Sequence, residues 1–137
     1  MNRLKDLEMA RVLLVDDDPT ARLTLKTVLE AGGYAVDSAA SAAEAFGKLE
    51  EQEYELVLTD MQMESPEAGL RVLQHARMME YKPATALLTS SLDSDRDQGS
   101  SVLVEPEDLP DLFEKVAGLI GVRARRKLDR ELRTAGV

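Results

Sequence analysis

Three consecutive aspartates, Asp16, Asp17 and Asp18, follow the apolar run Val12-Leu13-Leu14-Val15, and a fourth, Asp60, follows Leu56-Val57-Leu58-Thr59. Two further short runs also stop at polar groups. Ala84 to Thr89 (ATALLT) ends at Thr89-Ser90, and Val102-Leu103-Val104 ends at Glu105-Pro106. A continuous four-residue apolar run fits a strand buried on both faces, as in a parallel sheet. In such a sheet the strand ends share one edge, so the carboxylates behind the first and third runs converge there. Packed carboxylates repel one another, and one must take a proton or a cation must bind. A hard divalent cation with oxygen ligands, Mg²⁺, resolves the conflict. A turn and a helix cap would account for Asp18 but not for Asp60 at the matching end of another run.

The elements that must position these groups are readable in outline. Asp18 is placed to cap a helix with Pro19 in its first turn, and Ala21, Leu25, Val28 and Leu29 recur at helical spacing before Gly32-Gly33 ends it. Tyr34 to Asp37 reads as a short, more exposed strand. Ser41-Ala42-Ala43-Glu44 is a capping box, with Ala42, Ala45, Phe46 and Leu49 on one face behind it. A helix is expected over Ala68 to Glu80, with Val72, Leu73, Ala76 and Met79 inward. Ser90 to Ser101 (SSLDSDRDQGSS) has one large apolar residue and reads as a polar, irregular loop. Leu109, Leu112, Phe113, Val116, Ala117 and Ile120 then form the clearest amphipathic pattern in the chain. The alternation βαβαβαβ–loop–βα predicts an α/β fold, a doubly wound five-stranded parallel sheet of flavodoxin-like order 2-1-3-4-5. The usual fourth helix is expected to be absent or disordered.

Composition narrows the chemistry. With 137 residues, one domain is expected. No cysteine excludes thiolate metal sites and cysteine nucleophiles. A single histidine, His75, argues against multi-histidine metal sites and a Ser-His-Asp hydrolase; its mid-helix place reads as a surface or half-buried side chain. No tryptophan and five Phe or Tyr leave little for base stacking. The net charge of −9 disfavours nucleic acid and anionic membranes as bulk partners. No apolar run could span a bilayer, and residues 1–10 lack a secretory apolar core, so a cytoplasmic protein is expected. Neither GxxxxGK[ST] nor GxGxxG occurs. Three aspartates after the first strand would repel a flavin phosphate. A dehalogenase-type phosphatase needs a second Asp two residues after Asp60, where this chain has Gln62.

VLLVDDDP, LVLTDMQM, Gly69-Leu70 and ALLTS, in this order and spacing, resemble the receiver domain of two-component response regulators over about residues 10–121. The resemblance implies a signalling module rather than an enzyme. Asp60 would accept a phosphoryl group from a histidine kinase or phosphotransfer protein. Asp16, Asp17, Asp60 and the backbone carbonyl of Gln62 would hold Mg²⁺, and Thr89 would hydrogen-bond the phosphoryl oxygen. Output would pass through contact with a downstream protein.

The chain departs from the family at three places. Glu105 stands where the family has lysine, with the following peptide bond to Pro106 usually cis. Fifteen residues between Thr89 and Glu105 leave too little chain for the fourth helix. Val102 or Leu103 replaces the switch aromatic. Glu64 also stands where proline is usual. These features support an alternative, a pseudo-receiver that binds partners without phosphorylation. The receiver is expected over residues 1–121. Residues 122–137 form a basic helical extension or linker with six basic and two acidic groups, a net of +4 that leaves −13 for residues 1–120. A solvated helix end, a homodimer or partner-docking helix, and a short nucleic-acid patch are the readings open to it, in that order.

Overall fold

The computed structural model describes residues 10–60, 63–88, 102–104 and 109–134. Five parallel strands form one sheet of order β2-β1-β3-β4-β5: β1 Arg11–Val15, β2 Ala35–Ala39, β3 Leu56–Asp60, β4 Ala84–Leu88 and β5 Val102–Val104. Among the described residues four helices connect or follow them: α1 Pro19–Ala31, α2 Ala42–Glu51, α3 Ala68–Met78 and α4 Leu109–Thr134. Among the described residues no helix is long and apolar enough to cross a membrane.

Alternation along β1 divides the core. Val12 and Leu14 pack with Leu25 and Leu29 of α1 and Leu112 and Val116 of α4. Leu13 and Val15 pack with Ala42, Ala45 and Leu49 of α2 and Val72 and Ala76 of α3. The four side chains from Val12 to Val15 are fully buried, which is why that run carries no polar position.

Local chemistry starts and stops the helices. Asp18 accepts the Thr20 N–H at 3.0 Å, with Pro19 opening α1. Gly33 follows the Gly32 cap at φ 100°, a conformation costly for any side chain. Ser41 Oγ accepts the Glu44 N–H at 3.1 Å, and the Glu44 carboxylate reaches back to the Ala40 N–H at 2.7 Å. His75 lies half-buried on α3, its ring stacked on Phe46 at 4.6 Å and its Nε2 2.9 Å from the Glu50 carboxylate.

Several expected boundaries and faces differ. The second strand runs to Ala39 rather than Asp37 because it pairs with the whole of β1, Val15 opposite Ala39. Helix α3 stops at Met78 rather than Glu80, because Met79 turns extended at ψ 143°. Ala21 and Ala117 fit the apolar spacing, yet both are exposed. Each sits at the edge of its helix's buried stripe, where a methyl group gains little from burial. The expected loop Ser90 to Ser101, the missing fourth helix and the Glu105-Pro106 bond lie outside the described residues.

Candidate functional site

The register places two carboxylates level at one edge. Val15 pairs with Thr59 across β1 and β3, so the next residues, Asp16 just past β1 and Asp60 at the end of β3, lie side by side at this edge. Carboxylate oxygens of Asp16, Asp17 and Asp60 all lie within 4.8 Å of one another. Asp16 is buried, Asp60 half-buried and Asp17 exposed. The cluster therefore has a fixed floor and an open mouth.

Asp16 is held on three sides. Its N–H donates to the Ala39 carbonyl at 3.1 Å, extending the β1–β2 ladder by one residue. Its Oδ1 accepts the Asp18 N–H at 3.0 Å. Its carbonyl accepts a guanidinium N–H of Arg22 at 2.8 Å. Burial raises the Asp16 carboxyl above the ordinary carboxylate range, the Asp18 N–H opposes this, and the charges of Asp17 and Asp18 add to the rise. Asp18 turns away to cap α1, so the triple aspartate divides into two cluster members and one structural cap.

Asp60 ends β3 opposite Leu88 of β4. The fully buried Thr59 before it donates its hydroxyl to the Asp60 carbonyl at 3.1 Å. Three carboxylates with oxygen atoms this close suit a small hard cation. Mg²⁺ takes one or two carboxylates, further oxygens and water in near-octahedral geometry. The donor set contains no nitrogen or sulfur, which argues against the softer transition metals.

The structure thus gathers Asp16, Asp17 and Asp60. The other expected site residues, Gln62, Thr89 and Glu105, lie outside the described residues. Two positioning groups escape a motif reading. Arg22 braces the backbone of Asp16 from the second turn of α1; its spacing of six residues, with helical side chains leaning toward the N-terminus, is the available signal. Glu64 Oε2 accepts the Ala42 N–H at 3.1 Å and ties the loop after β3 to the start of α2. No local pattern announces a contact across 22 residues.

Residues 12–104 match the response regulator receiver domain family. The gliding motility regulatory protein of Myxococcus xanthus is 39% identical over 92 residues, which are 64% of this chain and 11% of that protein. The response regulator receiver protein CpdR of Brucella abortus is 29% identical over 118 residues, 82% of this chain and 98% of that protein. Among solved structures, the response regulator TrrA of Thermotoga maritima, in complex with Mg²⁺ and BeF, superposes with a TM-score of 0.70 at 32% identity. That match covers 81% of this chain and 99% of the other. With its sheet order, its acidic edge and these matches over most of its length, the chain belongs to the response regulator receiver domain family of two-component signalling.

Proposed function

We propose that the chain accepts a phosphoryl group on Asp60 from the phosphohistidine of a cytoplasmic histidine kinase or phosphotransfer protein, and signals by protein contact rather than by turning over a substrate. The observation that carries this reading is the gathering of Asp16, Asp17 and Asp60 within 4.8 Å. In the transfer, a carboxylate oxygen of Asp60 attacks phosphorus. The phosphorus–nitrogen bond breaks with its electron pair left on nitrogen, an acyl phosphate forms on Asp60, and the phosphoimidazole ring, already protonated on its other nitrogen, leaves as neutral imidazole. Asp16, Asp17 and Asp60, with the Gln62 carbonyl, are the groups that would hold Mg²⁺. When bound, the ion supplies positive charge against the phosphoryl oxygens. The chain's own contribution is positional: Arg22 and the Asp18 N–H fix Asp16, and the β1–β3 register holds it beside Asp60. Thr89, at the end of the fourth apolar run, is proposed to hydrogen-bond the phosphoryl oxygen.

The test is incubation with a small phosphodonor and Mg²⁺, read by intact mass. One phosphoryl group is expected on wild type and none on Asp60→Asn. An unlabelled wild type, or equal labelling of both, overturns the reading. Glu105 favours a second reading, a partner-binding domain that works unphosphorylated. Phosphorylation adds roughly half to one negative charge at Asp60 beyond the carboxylate it replaces; the family's lysine would pair with that charge, whereas a Glu105 facing it would oppose it. Phospho-Asp60 lifetime is expected to rise in the order Glu105, Glu105→Gln, Glu105→Lys. Equal lifetimes remove the support for the second reading.

A further inference from the structure

The N-terminal edge of the sheet, opposite the aspartates, carries two adjoining surfaces of opposite charge. Among the described residues, seven basic side chains and a single acidic one, Asp129, line a groove of about 960 Å³ between α4, from Lys115 to Arg133, and the segment leading into β4. Its floor is apolar, made by Pro83, Leu119 and Val122. Arg123 builds the wall. Its Nε donates to the Lys82 carbonyl at 3.1 Å and an Nη to the Tyr81 carbonyl at 2.7 Å, so the extended helix is fastened to the turn after α3. Beside the groove is a depression of about 540 Å³ holding Glu50, Glu51, Glu53 and Glu80 and, among the described residues, no basic group.

The two surfaces meet along residues 77–82. Arg77 and Lys82 line the groove, whereas Met78 to Tyr81 line the depression. Met78, at this border, is 81% exposed. Further apolar groups lie exposed on the outer turns of α4, Leu128 and Leu132.

We propose that a second copy of this chain docks on this edge through a two-fold axis near Met78, the basic groove of each copy seated on the carboxylates of the other. An isologous contact requires a surface that is its own complement, and a basic patch directly beside an acidic one is such a surface. Other occupants match only half of it. A nucleic acid or an acidic peptide in the groove would face Glu50, Glu51, Glu53 and Glu80 at its border, and like charges there oppose docking. In the two-fold arrangement both halves are paired at once, and the two Met78 side chains cover each other at the centre.

The test is sedimentation velocity on the full chain, with charge variants at exposed positions. Wild type is expected to dimerise at low salt and to weaken by about tenfold or more as the screening length shortens from about 10 Å at 0.1 M to 3 Å at 1 M salt. Arg126→Glu with Arg133→Glu is expected to be monomeric, and so is Glu53→Lys with Glu80→Lys. An equimolar mixture of these two variants pairs plus with minus at both contacts and is expected to restore a dimer. A wild type that stays monomeric at low salt overturns the proposal, whether or not its groove then retains duplex DNA. A dimer indifferent to salt and to both variants overturns it, as does a mixture that fails to associate while both variants keep the wild-type circular dichroism.

Discussion

Glu64, four residues beyond Asp60, accepts the backbone N–H of Ala42 at 3.1 Å and so acts as a second cap on α2 beside Ser41. The first N–H groups of a helix have no partner within it, and a carboxylate there also meets the positive end of the helix dipole. The bond joins the loop after Asp60 to the start of α2. Glu64→Ala is expected to cost about 0.5–1 kcal/mol in urea unfolding. Glu64→Gln keeps an acceptor but loses the charge, and is expected to cost less. Stability equal to wild type in both variants would show that the bond contributes nothing in solution.

Tyr54 is a buried phenol whose hydroxyl donates to the Asp37 carboxylate at 2.9 Å. Burial, then this bond and the Asp37 charge, push its pKa well above the usual 10. Tyr81 is pushed up to about 12, by burial first and then by Glu53 and Glu50. A pKa raised on folding means that the folded chain holds the proton longer than the unfolded one. The resulting stability is complete below about pH 10 and is lost as pH rises toward the folded value. The melting temperature is therefore expected to fall steadily above pH 10. Tyr54→Phe loses about 1 kcal/mol at neutral pH through the missing hydrogen bond and shows a shallower alkaline decline. An identical alkaline slope in the variant would place the loss elsewhere.

Much of this molecule could be read from short stretches of sequence, and the reason is physical. β1 is buried on both faces, so Val12 to Val15 admits no polar residue. The caps at Asp18 and Ser41 are local bonds spanning two and three residues, so residue type and spacing suffice to find them. Asp16 and Asp60 are legible together because parallel strands end on one edge. The cross-chain bonds were not legible. Glu64 to Ala42, Arg123 to Tyr81 and His75 to Glu50 join elements whose mutual placement only the packed sheet defines. Edge positions such as Ala21 and Ala117 fit the apolar spacing because an alanine at the margin is tolerated in water or in the core.

Gly32 closes α1 directly under the ring of Phe113 on α4. A Cβ on Gly32 would overlap Phe113 Cε1. The backbone there is right-handed helical at φ −81°, so the restriction is space and not conformation. Gly32→Ala is expected to cost about 1–3 kcal/mol through overpacking. Phe113→Leu in the same chain should return part of that loss, because the smaller side chain vacates the position of the new methyl group. A double-mutant cycle checks this, and strictly additive effects would show that the ring swings clear without cost.

The buried member of the acidic cluster supplies the prediction that links stability to the site. Burial raises the Asp16 carboxyl above 3.8, with Asp17 and Asp18 adding to the rise. For such a group the stabilising contribution is present below the unfolded pKa and disappears as pH climbs through the folded one. Above that window the metal-free fold holds a charge it would be more stable without. Asp16→Asn keeps the shape and an oxygen for the Asp18 N–H, and is expected to raise the metal-free melting temperature at pH 7. In Mg²⁺ the order should reverse. The wild-type carboxylate becomes a ligand, and an ion at about a hundred times its dissociation constant adds roughly 2.7 kcal/mol to the folded state. The amide introduced by Asp16→Asn offers no charge, so that variant should gain far less. Thermal melts of the two proteins across a Mg²⁺ titration are therefore expected to cross. Curves that stay parallel would mean that Asp16 does not hold the ion, and curves that cross without Asp60→Asn losing the Mg²⁺ effect would place the ion away from Asp60.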